Sequence, residues 1–115
     1  NNIRAQIINP NENHYNIEGA HSTIQDNTWH LITITFNEST SIMTGFVDNY
    51  LVQSRNIVPG SLVGQGYFSI GWDYAWNSSQ AYFRGNIATV SVYNSVLSSN
   101  DISTNFNAVK SRFGL

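Results

Sequence analysis

The stretch TWHLITITFN, residues 28–37, constrains this chain more than any other. Ile32, Ile34 and Phe36 fall on one face of an extended segment, with Thr33 and Thr35 on the other. That period of two suits a strand and not a helix. The same texture of short alternating or β-branched runs, broken by Asn, Gly, Ser and Pro, persists to about Tyr93 and reads as all-β. Ile3 to Ile8 is expected as a first strand, closed by Asn9-Pro10-Asn11. Tyr15 to Ile17 is expected to pair with His21 to Gln25 through a turn at Gly19.

After the Thr28 to Asn37 strand, Asn37-Glu38-Ser39-Thr40 reads as a turn and Ile42 to Val47 as the returning strand. Asp48-Asn49 is a two-residue turn signal that tolerates positive φ, so Tyr50-Leu51-Val52 completes a hairpin. Ile57 to Gly66, with its proline and three glycines, is a connection. Tyr67 to Trp72 and Asn86 to Tyr93 are expected as two further strands. The second carries Ala88, Val90 and Val92 against Thr89 and Ser91.

Only the end reads as helix. Ser98 and Asp101 have capping-box spacing, with Asp in the place of Glu. Ile102, Phe106, Val109 and Phe113 then form one apolar stripe that must pack on the sheets. Lys110 and Arg112 suit the last turn, and Gly114 is a natural stop.

Size and charge bound the rest. A chain of 115 residues holds one domain, residues 1–115. Charged residues are only 10% of it, and the formal net charge of -2 leaves no electrostatic footprint for nucleic acid. Cysteine is absent, which excludes disulfides and thiolate metal sites. No apolar run approaches the roughly 20 residues of a membrane-spanning helix, so no membrane insertion is expected. The chain opens Asn1-Asn2, and we expect it to be a piece of something longer.

The order of these features resembles a known family. Trp-His-x-Ile-x-x-x-Phe (Trp29 to Phe36) precedes Gly-Phe-Val-Asp-Asn-x-Leu-Val (Gly45 to Val52). Phe-Ser-Ile-Gly (Phe68 to Gly71) and a variable loop follow. Phe-Arg-Gly-Asn-Ile-Ala-x-Val-x-Val-Tyr-Asn-x-x-Leu-Ser (Phe83 to Ser98) and Asn-Phe-Asn-Ala (Asn105 to Ala108) close the series. From about Trp29 onward this is similar to the C-terminal two-thirds of a laminin-G-like domain of the concanavalin A-like superfamily. The resemblance implies an antiparallel jelly-roll β-sandwich with one short C-terminal helix. It also implies opening strands that are mostly missing here, to be supplied upstream or by a neighbour. The hairpin turn departs from the family's Asp-Gly, reading Asp48-Asn49. The ending from Asn105 to Leu115 resembles tails of such domains in bacteriophage and viral structural proteins, which implies a virion or extracellular surface.

The superfamily includes glycoside hydrolases, which need two carboxylates facing one bond, roughly 5 to 9.5 Å apart. The carboxylates Glu12, Glu18, Asp26, Glu38, Asp48, Asp73 and Asp101 offer no pair two or four residues apart on one strand. Glu38 and Asp48 fall in turns and Asp101 caps the helix, so a non-catalytic role is expected. His14, His21 and His30 have no close metal-binding spacing, and His30 is expected on the solvent side. No Gly-x-Ser-x-Gly elbow or phosphate-cradling glycine loop occurs. Asn37-Glu38-Ser39 and Asn77-Ser78-Ser79 match the N-glycosylation pattern, as chance alone would give in so Asn- and Ser-rich a chain. No cofactor is expected. Calcium has three dispersed candidate ligands, Asp26, Asp73 and Asn77, which do not by themselves make a site.

The remaining chemistry lies in GWDYAWNSSQAYFRG, residues 71–85. Tyr74 and Trp76 could stack on sugar rings while Asp73, Asn77 and Gln80 bond to hydroxyls. The same aromatics could instead contact another chain or simply fill the end of a sandwich. The expected partners are accordingly glycans or other surface or virion proteins, and the expected role is a binding or decoration module. A purely structural assembly domain is the alternative.

Overall fold

A computed structural model describes residues 2–8, 14–20, 24–25, 27–57, 68–72 and 82–115. Five strands and a helix form within them: β1 (Asn2–Ile8), β2 (His14–Ala20), β3 (Ile32–Asn37), β4 (Ile42–Val47), β5 (Tyr50–Asn56) and α1 (Ser99–Phe113). β1 and β2 make one antiparallel sheet, and β3-β4-β5 make a second. The expected all-β sandwich with a single C-terminal helix is what forms.

Register explains how the layers meet. In the two-stranded sheet Ile3, Ala5 and Ile7 lie opposite Gly19, Ile17 and Tyr15, so the apolar residues share one face. The other face carries Arg4 opposite Glu18, joined by an ion pair of 3.0 Å. In the larger sheet Ile32, Ile34 and Phe36 lie opposite Val47, Gly45 and Met43. These two apolar faces enclose the core of Ile17, Met43 and Ile57, against which Ala5, Ile7, Tyr15 and Phe36 pack. Ile17 is 2% exposed. Burying each such side chain contributes roughly 1.5–3 kcal/mol.

Glycine sets the distance between the layers at one point. A Cβ on Gly45 would stand 2.7 Å from Ile17 Cδ1, and one on Gly19 would collide with the Val52 side chain. The small residues therefore let β2 approach β4 and β5 closely. Beside them, β5 side chains bond the β2 backbone. Gln53 Oε1 accepts from Glu18 N–H at 2.8 Å, and Arg55 Nη1 donates to the Asn16 carbonyl at 3.0 Å. They meet polar groups that a third strand would otherwise satisfy.

Both turns of the larger sheet follow from their residues. The Asn37 side-chain oxygen accepts from Ser39 N–H, Ser39 Oγ–H and Thr40 N–H, closing the β3–β4 turn. Asp48 and Asn49 have φ of 50° and 70°, as a two-residue hairpin of the primed type requires. β5 carries one extra residue where its pairing shifts at Gly45/Phe46, a bulge that leaves Val52 free to reach Gly19.

The helix forms as its caps dictate. Ser98 Oγ accepts from Asp101 N–H, while Asp101 Oδ2 accepts from Ser98 N–H at 2.9 Å, a complete capping box. Gly114, at φ 71°, ends the helix in the left-handed conformation. Ile102 is buried, and Phe113 packs on Trp29 with ring centroids 5.3 Å apart. Ser103 Oγ donates to Asn49 Oδ1, tying the helix to the β4–β5 turn.

Three expectations change. The strand at Tyr15 does not turn at Gly19: β2 runs through that glycine to Ala20 and pairs with β1 instead. Gly19 serves close approach between layers rather than a turn. The Trp29 strand starts late, at Ile32, because residues 28–31 form a side-chain-bonded lead-in. Neither the described part of the expected Tyr67–Trp72 strand nor Asn86–Tyr93 is a strand, and among the described residues of this region only the isolated bridge Trp72↔Tyr82 is paired. Alternation alone makes no strand without a neighbour to complete the ladder. Residue 67 and most of the Ile57–Gly66 connection lie outside the described residues.

Candidate binding site

The loop singled out in the sequence, with Asp73, Tyr74, Trp76, Asn77 and Gln80, lies outside the described residues, but its root is well defined. Trp72 and Tyr82 pair as an antiparallel bridge, and their rings stack at 6.1 Å between centroids and 10° between planes. Phe83 N–H donates to the Gly71 carbonyl at 2.7 Å, and Ser69 Oγ donates to the Trp72 carbonyl at 3.0 Å. Gly71 has φ 78°, which turns the chain at the foot of the loop. Such an aromatic pair is worth about 0.5–1.5 kcal/mol beyond its buried area.

The root is apolar and open. Trp72 is 36% exposed, Tyr82 and Phe83 more so, and Phe68 is 78% exposed. Arg84 adds an exposed cation beside them. Flat rings at this density, next to a loop rich in amides and hydroxyls, can stack on pyranose faces or seat a protein side chain. Calcium's candidate ligands Asp26, Asp73 and Asn77 all lie outside the described residues. Among the described residues no three His, Asp or Glu side chains gather as a metal site.

A second polar cluster lies just before β3. His30 Nδ1 and Asp48 Oδ2 are 2.6 Å apart, with their side chains 15% and 12% exposed. Asp48 Oδ1 accepts from Leu31 N–H at 2.8 Å, and Asp48 N–H donates to the Leu31 carbonyl at 2.9 Å. On the far side of the ring, Nε2 accepts from Gln25 N–H at 3.2 Å and meets Thr28 Oγ1 at 2.7 Å. The backbone donor at Nε2 assigns the ring proton to Nδ1, where it is given to the carboxylate.

Hydroxyl, imidazole and carboxylate thus stand in the order of a nucleophile relay. Thr28 Oγ1 also donates to the Gln25 carbonyl at 2.9 Å, so its proton is shared with a backbone acceptor. The cluster therefore holds Gln25, Thr28, His30 and Leu31 against the β4–β5 turn. His30 is not on the solvent side as its sequence position suggested. It precedes β3, where strand alternation no longer decides orientation, and Asp48 draws it inward. The sequence contained the signal: with 37 opposite 42, residue 31 falls opposite 48, one step beyond the last strand pair.

The other described carboxylates stand apart from one another. Glu18 bonds Arg4 and Asn16, and Asp101 caps α1. Hydrogen bonds from the Ser98 hydroxyl and backbone hold the Asp101 carboxyl below its ordinary pKa. Glu38 sits exposed in its turn.

Comparison with known proteins places the fold. The Laminin_G_3 family model, described as concanavalin A-like lectin/glucanases superfamily, matches residues 1–103. No curated protein matches the chain. A solved structure of an S-layer domain-containing protein from Clostridium thermocellum ATCC 27405, residues 221–444, superposes with a TM-score of 0.61 at 19% identity. The match covers 81% of this chain and 45% of that one, so this chain spans less than half its length.

Proposed function

The chain belongs to the Laminin_G_3 family of the concanavalin A-like lectin/glucanase superfamily, and from that premise we propose that it is a non-catalytic binding module of a cell or virion surface. It contacts glycans through the loop from Asp73 to Gln80. The observation that carries this reading is the stacked, partly exposed Trp72–Tyr82 pair at the loop's root. A loop rooted on two stacked rings presents its variable residues from a fixed platform, as recognition loops do. The described carboxylates support a non-catalytic role, since each is committed to a cap, a turn brace or a cross-strand pair, or stands alone in a turn. The S-layer neighbour, a surface protein by its description, supports the location.

Single sites of this kind are weak, and useful adhesion comes from many copies on one particle or cell wall. Within the loop, Trp76 and Tyr74 stack on the sugar while Asp73, Asn77 and Gln80 fix its orientation. A glycan array probed with the native protein displayed multivalently, beside Trp76→Ala and Tyr82→Ala, tests this. Binding to a glycan class that falls at least about tenfold in Trp76→Ala is expected. No binding to any glycan sinks the reading. A structural assembly module is the second reading, favoured by the exposed apolar residues Ile87, Val90, Val92 and Val96.

A further inference from the structure

Both ring nitrogens of His30 are engaged, and the contacts at Nε2 make conflicting demands. Nε2 lies 3.2 Å from Gln25 N and 2.7 Å from Thr28 Oγ1. A neutral ring protonated at Nδ1 offers one lone pair there, and the Gln25 N–H takes it. The Thr28 hydroxyl has one proton, and the Gln25 carbonyl 2.9 Å away claims it as well. The shortest contact at Nε2 is therefore the one that the neutral ring serves least. The other neutral tautomer is worse, because it sets the Nδ1 lone pair against the Asp48 carboxylate at 2.6 Å. Of the three forms of the ring, only the imidazolium satisfies Asp48 and Thr28 together.

We propose that His30 is a proton-operated latch: a proton taken from solvent at Nε2 hands the ring from the Gln25 N–H to Thr28 Oγ1, freeing the chain at Gln25 while the clamp on Asp48 holds. In the charged form Nε2–H donates to Thr28 Oγ1, whose own proton goes wholly to the Gln25 carbonyl. An unbroken chain then runs from Asp48 through the ring and the hydroxyl to the backbone. Of these groups only the Gln25 N–H loses its acceptor, and Gln25 is exposed, so water replaces it. The Nδ1–H bond to Asp48 becomes a pair of opposite charges and gains strength. Two hydrogen-bond arrangements of the same atoms thus differ by one proton, as a bistable element requires.

The neighbouring elements leave the ring to these partners. In the β4–β5 turn the titratable side chains are Asp48 and Tyr50, the latter 58% exposed. Residues 27–31 hold no ionisable side chain besides His30, and β3 holds none. Asn27, at φ 64°, makes the bend that lets one ring nitrogen meet both Gln25 and Thr28. From the helix side, α1 reaches this corner through Ser103 on Asn49 and Phe113 on Trp29. Its Arg112 lies over the Phe113 ring at 5.3 Å, and its Asp101 is turned to Ser98. Among the described residues neither Lys110 nor Arg112 forms an ion pair with Asp48, which keeps its charge for His30.

Nuclear magnetic resonance of the native protein, titrated from about pH 8 to about pH 5, tests the latch. Nitrogen-15 shifts of the His30 ring should show Nδ1 alone protonated at the top of the range and both nitrogens protonated at the bottom. The Gln25 amide signal should move with the same midpoint. Its exchange with solvent, corrected for the intrinsic pH dependence, should quicken by about tenfold. Thr28→Val withdraws the acceptor of Nε2–H and should lower the His30 midpoint by about one pH unit. His30→Gln should abolish the Gln25 response. A ring that keeps one state across the range, a Gln25 amide that follows another group or none, or a midpoint unmoved in Thr28→Val overturns the proposal. If a variant does not fold, the native titration alone decides.

Discussion

Replacing Asp48 by alanine tests whether one turn residue holds the loop before β3. The substitution removes the acceptor of Leu31 N–H and of His30 Nδ1–H, at 2.8 and 2.6 Å. His30 is mostly buried, so water replaces the lost partner poorly. Each orphaned donor costs about 1–2 kcal/mol. Alanine at φ 50° adds about 1 kcal/mol of left-handed strain. The expected loss is about 3–5 kcal/mol, a large part of a typical folding free energy of 5–15 kcal/mol. Glycine at position 48 separates the terms, because it removes the bonds without the strain and should cost about 1 kcal/mol less than alanine. Asparagine keeps the Leu31 bond and tolerates the conformation, so about 1–2 kcal/mol is expected. Urea unfolding of the native protein, followed by fluorescence of Trp29 against Phe113, reads the differences. If alanine falls within about 0.5 kcal/mol of wild type, the brace does not stabilise the fold as argued.

Further outcomes follow from the same geometry. Gly45→Ala drives a methyl against Ile17 Cδ1 and should destabilise by about 1–3 kcal/mol in urea unfolding, whereas a neutral result would mean the layers can part freely. Arg4→Ala breaks a pair in which both partners are well exposed, and its loss should change the unfolding free energy by less than about 0.5 kcal/mol. The Asp101 carboxyl has its pKa lowered by Ser98, so its stabilising share is present above the unfolded carboxyl's pKa and is lost as pH falls through the folded value. Helical circular dichroism should therefore weaken in acid, and Asp101→Asn should flatten that dependence. An unchanged acid profile in the variant would refute the cap's role.

Much of the fold was legible because its signals are local. The Asp48-Asn49 turn, the Asn37 turn and the Ser98–Asp101 box each depend on a few adjacent residues with one strong conformational preference. Gly19 was misread because a glycine fits a turn and a close contact equally well, and only the position of Val52 decides between them. The strand expected at Asn86–Tyr93 shows the other limit. Its pattern is genuine, but a strand is a relation between two segments, and no described segment pairs with this one. At the candidate site the residues singled out in the sequence lie outside the described ones, and the structure shows only the Trp72–Tyr82 stack beside them. His30 reads as solvent-facing in the sequence because its partner is 18 residues away and is found only by counting across the sheet.

The closed root of that loop also makes the domain a display scaffold. Trp72 and Tyr82 meet through a bridge and a ring stack, and Gly71 and Phe83 are bonded immediately behind them. None of those contacts draws on residues 73–80. A cassette of different length and sequence inserted between the two rings would start and end on that bonded pair. A chain without cysteine is also suited to expression in a reducing cytosol, and a single introduced thiol would be its only labelling point.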